Sequence, residues 1–158
     1  MSEADDSIRE LIDRVEGVRT VMLTTVDERG TLSSRPLTVQ RIDPSGDVYF
    51  IVDRHADWVG GTAEPVNIAL VDPDRTWVSV AGRLTLVDDR ALLDDLWDSM
   101  TDAFFPDGKE GGPTVLRVQA DRWEYWTAPN KLTQTIEIVK AKLTGGVTDL
   151  GDSGSVET

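Results

Sequence analysis

Residues 19–53 read RTVMLTTV-DERG-TLSSRPLTVQRI-DPSG-DVYFIVD, and this stretch decides the fold. Three runs rich in β-branched or aromatic residues, 19–26, 31–42 and 47–53, are separated by Asp27-Glu28-Arg29-Gly30 and Asp43-Pro44-Ser45-Gly46. Val, Ile, Thr, Tyr and Phe suit the pleated, half-buried surface of a strand, while Asp, Gly, Pro and Ser supply turn geometry. Connections this short join antiparallel neighbours, because a parallel pair needs a long crossover. Pro36 has no amide hydrogen, so within 31–42 it predicts an edge position or a local irregularity.

The pattern continues on both sides. Upstream, Ile8, Leu11, Ile12 and Val15 recur at i, i+3, i+4 and i+7, a narrow apolar helical stripe that Gly17 is placed to end. Downstream, Arg54 to Glu64 is short and mixed, with room for one or two helical turns. Residues 65–72 predict a strand closed by Asp72-Pro73-Asp74, and residues 76–87 another, with Gly82 at a bulge or close approach. From Asp88 to Phe104 the period becomes helical through Leu92, Leu93, Leu96, Trp97 and Met100, with Asp88 or Asp89 as N-cap and Trp97 in the core. A Gly- and Pro-rich loop over 106–113 precedes a long strand, 114–126. Residues 130–143 place Leu132, Ile136, Val139 and Leu143 on one helical face. The order is α-β-β-β-(short α)-β-β-α-β-α. Closely spaced hairpins without a repeating βαβ unit predict a mainly β (α+β) antiparallel barrel rather than a doubly wound sheet.

Composition removes whole classes of chemistry. At 158 residues and 39% hydrophobic content the chain has the size and make-up of one folded domain. It has no cysteine, which excludes thiolate nucleophiles, disulfides and thiolate metal sites, and its one histidine, His55, excludes a His-rich metal centre. No metal site is expected. The net charge of −13 repels nucleic acid and anionic lipid, so neither is an expected partner. No apolar run approaches the ~18 residues of a membrane span. The acidic start MSEADDSIRE lacks a signal core, and the expected location is the cytoplasm.

No G-x-S-x-G elbow and no glycine-rich phosphate loop is present, and only His55 could serve as a base. Two clusters could meet an anion. In Arg35-Pro36-Leu37, an arginine on a strand offers a planar fork to phosphate; the alternative is a surface ion pair. At Val52-Asp53-Arg54-His55 a strand ends where a short helix could begin, and a helix N-terminus presents free amides. Of the five tryptophans, Trp123 and Trp126 stand three apart on one strand and face opposite sides. One belongs in the core, and the other at a dimer interface or against a flat ring.

Five stretches together resemble a known family: MLTTVD (22–27), SRPL (34–37), VNIALVDPD (66–74), VSVAGRLTLVDD (78–89) and RWEYWTAPNK (122–131). AKLTG (141–145) fits as well. In order and spacing they are similar to the general stress protein branch of the pyridoxamine 5′-phosphate oxidase-like family. The resemblance implies a six-stranded antiparallel split β-barrel with peripheral helices over residues 1–146, followed by a disordered acidic tail, 147–158. It implies a homodimer with FMN at the interface and a flavin-dependent oxidoreductase or stress-related role. By the same match, Arg35, Pro36 and Leu37 line the flavin and phosphate site. Ile51, Val52, Asp53 and Arg54 contact the ring and ribityl chain, with His55 beside them, and Trp126 approaches from the partner chain.

One departure stands out. Relatives carry a threonine near the end of the third strand, then a serine and a lysine that hold phosphate; here the matching positions are Val52, Ala56 and Trp58. Charge-assisted contacts are worth about 1.5–3 kcal/mol each, so their loss weakens FMN unless Arg35, Arg54 and His55 compensate. Two alternatives follow. One is a deazaflavin-dependent reductase with Trp58 as a stacking wall. The other is a non-catalytic module without cofactor.

Overall fold

The computed structural model describes residues 3–59, 64–128 and 153–158. The chain runs α1 (Glu3–Val15), β1 (Thr20–Val26), β2 (Leu32–Thr38), β3 (Arg41–Ile42), β4 (Val48–Asp53), β5 (Pro65–Val71) and β6 (Thr76–Val87). It continues through α2 (Arg90–Leu96), α3 (Ser99–Phe104), β7 (Pro113–Thr127) and β8 (Ser153–Glu157). Every strand pairing is antiparallel, in the order β2-β1-β5-β6-β7-β4-β3, with β8 beside the second half of β7.

The two ends of that order, β2 and β3, are consecutive in sequence. The amide of Val39 donates to the carbonyl of Arg19, just before β1, at 2.7 Å, and the next amide, of Gln40, donates to Tyr49 of β4 at 2.8 Å. Successive amides of an extended chain point to opposite sides. One stretch therefore hands over from β1 to β4 within two residues and curls the sheet into a split barrel. The expected single strand 31–42 is interrupted here and not at Pro36, which keeps its register opposite Met22 on the edge strand β2. Among the described residues the six expected strands become eight, because this strand divides and the tail adds another. Within the tail expected to be disordered over 147–158, Ser153–Glu157 form a strand, while 147–152 lie outside the described residues. Val156 packs against the core there, and the Thr158 amide donates to Asp121 at 2.8 Å.

Alternation sorts the side chains. Val21, Leu23 and Thr25 of β1, with Val48, Phe50 and Val52 of β4, turn inward, and Ile8, Leu11 and Val15 of α1 pack onto the same core. Trp123 is fully buried and donates its indole N–H to the carbonyl of Gly46 at 3.1 Å. Gly46 sits at φ +94°, and a Cβ there would lie 2.8 Å from that indole nitrogen, so the turn requires glycine. Gly82 marks the expected bulge: the β6–β7 register shifts between Ala81 and Gly82, and a Cβ would lie 2.3 Å from the Gln119 carbonyl. Asp47 is buried yet satisfied. It accepts from the Ala120 amide at 2.9 Å and from Arg117 Nε at 2.9 Å, and a second Arg117 nitrogen bonds the same carboxylate.

The helix expected over 88–104 is two helices. Asp89 caps α2 by accepting from the Leu92 amide, and Asp98 caps α3 by accepting from the Thr101 amide. Aspartate competes with the helical backbone for hydrogen bonds, so Asp98 starts a new helix instead of continuing the old one. Leu93 and Leu96 form a second, smaller cluster with Val115 on the outer side of the sheet. Trp97 is only half-buried against this cluster, not in the barrel core, because its N–H reaches Asp102 at 2.6 Å. The helix expected over 130–143 lies outside the described residues. No described helix is long and apolar enough to cross a membrane.

Candidate functional site

A cleft of about 460 Å³ opens between β2, β4 and α3. Pro36 and Leu37 form one wall, Ile51, Val52 and Asp53 the opposite one, and Ala56 and Trp58 the end. These positions lie far apart in the β1–β4 segment and meet because the handover at Val39 and Gln40 brings β2 against β4. Thr101, Phe104 and Phe105 of the α3 region form the third side.

Asp98 anchors that third side. One carboxylate oxygen accepts from the Thr101 amide and hydroxyl, both at 2.9 Å, and the other meets Arg19 Nη2 at 3.0 Å. Gln40, with its amide turned to donate, reaches Asp98 Oδ2 and the Leu96 carbonyl, each at 3.3 Å. The Thr101 amide above all, then its hydroxyl and Arg19, hold the Asp98 carboxyl below its ordinary value against partial desolvation.

The segment after β4 is a pair of turns. Among residues 54–59 no helix forms: the Ala56 amide donates to the Asp53 carbonyl at 3.1 Å and the Val59 amide to Ala56 at 3.0 Å. The expected helix N-terminus, with free amides for an anion, is therefore absent there. Asp53 Oδ1 takes the His55 amide at 2.9 Å, and the Arg54 amide donates to Gly112 at 3.0 Å.

Of the ten expected site residues, six line the cleft: Pro36, Leu37, Ile51, Val52, Asp53 and Trp58. The others do not. Arg54 faces a separate hollow and lies 3.9 Å from Asp88, and the His55 ring sits 3.3 Å from the Gly111 carbonyl. Trp126, expected to approach from a partner chain, is 43% exposed on the outer face of the sheet, paired across strands with Trp77, which is 42% exposed. Arg35 lies behind Trp58. Its guanidinium is 4.4 Å from the indole centroid and donates to the carbonyls of Ser33 at 3.3 Å and Leu23 at 3.5 Å. Burial lowers its pKa from the ordinary arginine value. Trp58 lines both the cleft and a larger hollow of about 900 Å³, while Arg35 lines only the latter.

The α3 side was not foreseen. Phe104 and Phe105 follow the apolar stripe of 92–100 without extending it, and two adjacent aromatics outside a stripe are the signal that could have marked them. Among the described residues no group of three or more His, Asp or Glu side chains is placed to hold a metal.

The cleft suits part of a flavin. Apolar walls match the faces of an isoalloxazine, and Thr38, Gln40 and Thr101 offer hydrogen bonds to its edge and to a hydroxylated chain. The phosphate does not fit in the same way, because no Lys or Arg among the described residues lines the cleft, whereas the acidic residue Asp53 does.

Comparison with known proteins bears on the family and the fold. The sequence model of the family described as pyridoxamine 5′-phosphate oxidase like matches residues 6–149. No curated protein matches the chain. Among solved structures, a protein of Jannaschia sp. CCS1 described as a general stress protein 26 is 26% identical, with 97% of this chain and 99% of that one covered and a TM-score of 0.73. A general stress family protein of Xanthomonas campestris pv. campestris is 25% identical over 83% and 93% of the two chains, TM-score 0.69. The general stress FMN/FAD binding protein of Xanthomonas citri is 26% identical over 77% and 89%, TM-score 0.66.

Proposed function

The chain belongs to the pyridoxamine 5′-phosphate oxidase-like family, and on that premise we propose that it is a flavin-binding redox protein whose cleft between β2, β4 and α3 holds an isoalloxazine ring. The observation that carries this reading is the convergence of Pro36, Leu37, Ile51, Val52 and Trp58 on one apolar cleft with polar groups at its edge. A flavin supplies its own hydride and electron chemistry, so the chain need only bind and orient it. That accords with the lack of a hydrolytic triad or phosphate loop in the sequence. FMN and FAD are the flavins named for the Xanthomonas citri relative, and FMN is the form the family resemblance suggests.

The working unit in this reading is a homodimer. Met22, Val71, Trp77 and Trp126 are large apolar side chains left 41–47% exposed. Cross-strand pairing sets Trp77 beside both Val71 and Trp126 on the outer face. Large apolar patches on a soluble chain mark interaction surfaces, and aromatic residues are enriched in them.

The test is to purify the full chain, record its absorption, and titrate it with flavins. Bound yellow colour, or saturable quenching of flavin fluorescence, is expected. A protein that binds no flavin in any form would support the cofactor-free module, which the absence of a cation from the described cleft walls favours. A parallel titration with a deazaflavin addresses the third reading: preference for it would make Trp58 the stacking wall of a deazaflavin-dependent reductase.

A further inference from the structure

We infer that the cleft takes its flavin without the phosphate, so that riboflavin is its ligand in preference to FMN. This rests on the flavin reading above and adds a ligand class to it.

Charge separates the two ligands. FMN differs from riboflavin only by a phosphate carrying between one and two negative charges near neutral pH. A phosphate leaving water needs cations or several N–H donors, and unpaired charge is costly to bury. The cations closest to the cleft along the chain are each engaged elsewhere. Arg41, next to Gln40, pairs with Asp95. Arg19 donates to the Val39 carbonyl and pairs with Asp98. Arg54 turns toward Asp88 in another hollow. Arg35 has no carboxylate within ion-pair distance among the described residues, yet the Trp58 indole stands between it and the cleft. Val52 and Ala56 contribute only hydrocarbon where a phosphate would seek hydroxyl or amide donors. The Ala56 amide donates to Asp53, and the Asp53 carboxylate accepts the His55 amide, so two nearby donors are spent on the turn. Asp53, itself a lining residue, brings a negative charge close to the cleft, on a chain whose net charge is −13. The Thr38 hydroxyl and the acceptor oxygens of Gln40 and Thr101 remain, and these suit the neutral hydroxyls of a ribityl chain.

The experiment titrates the full-length chain with riboflavin and with FMN, each by fluorescence quenching, at low and at moderate KCl. Riboflavin is expected to bind tighter by on the order of tenfold or more. Added salt should narrow the gap, because it screens the repulsion of FMN and leaves the neutral ligand unaffected. FMN binding as tightly as riboflavin, or tighter, would overturn the inference and leave the flavin reading standing. Binding of neither would overturn both. A second measurement uses Trp58→Lys, which puts an ammonium in the cleft wall. The ratio of FMN to riboflavin affinity in that variant should move toward FMN by about tenfold, or 1.4 kcal/mol. Taking the ratio within one protein separates charge from any loss of folding, and an unchanged ratio would count against the inference.

Discussion

The Arg35 guanidinium lies over the indole of Trp58, 4.4 Å from the ring centroid, and among the described residues no carboxylate lies within ion-pair distance of it. In a chain with 29 acidic residues, an arginine that rests on an aromatic face and two carbonyls is held by the ring, not by charge pairing. A cation–π contact at a partly desolvated site is worth about 0.5–2 kcal/mol. A double-mutant cycle of Arg35→Ala and Trp58→Ala, read by urea unfolding, should give a coupling energy of about that size. Lysine keeps the charge but loses the planar stack, so the single Arg35→Lys change should recover only part of it. Additive single effects would show that the contact contributes nothing.

Asp47 should be among the least replaceable polar residues. Its buried carboxylate joins the turn before β4 to Arg117 and the Ala120 amide of β7. Asp47→Ala leaves Arg117 facing a site built for an anion, and removing one partner of such a pair costs about 3–5 kcal/mol. Denaturant unfolding measures this directly. A loss below about 1 kcal/mol, the scale of exposed pairs, would mean that Arg117 escapes to solvent.

The α3 wall of the cleft should loosen in acid. Asp98 has a folded-state pKa below its unfolded value, so its stabilisation is present above the unfolded pKa, about 4. That stabilisation is lost as pH falls through the lower, folded value. Asp98→Asn keeps a capping acceptor but never carries the charge. The stability difference between wild type and Asp98→Asn should therefore be constant near neutrality and shrink below about pH 4. A difference that grows in acid would reverse the sign of this assignment.

Trp126 and Trp77 should govern self-association. Placing a carboxylate within the outer apolar face by Trp126→Glu should convert a dimer to monomers in light scattering, with little change in the fold, because the position is 43% exposed. A wild-type chain that scatters as a monomer at all concentrations would remove the premise.

The barrel was legible in sequence because its signals are local and repeated. The turns at Asp27–Gly30 and Asp43–Gly46, the alternation in 76–87 and the bulge at Gly82 each follow from short-range chemistry. Trp123 and Trp126 separated correctly into core and surface, since three residues along a strand reverse the facing. What was not legible depends on partners distant in sequence. The break between β2 and β3 exists because Arg19 and Tyr49 compete for successive amides, and nothing in residues 31–42 announces that. The tail reads as acidic and Gly-rich, but an open edge beside β4 on β7 gave Ser153–Glu157 a place to pair. Arg54 and His55 stood in the right stretch for a site, yet the turn at Asp53 points them elsewhere. Phe104 and Phe105 reach the cleft only because Asp98 restarts the helix.

Within the sheet order, β5, β6 and β7 lie between β1 and β4, although β1 to β4 are contiguous in the chain. The first third of the molecule is therefore a pair of hairpins jointed at Val39 and Gln40, and the later meander is a wedge driven between their inner strands. Both long walls of the cleft, at Pro36–Leu37 and Ile51–Asp53, belong to the hinged pair and none to the wedge. The aperture between them is thus set remotely, by how far the meander holds β1 and β4 apart. Gly82, where the β6–β7 register shifts and a Cβ would press on the Gln119 carbonyl, belongs to that wedge and not to the cleft walls.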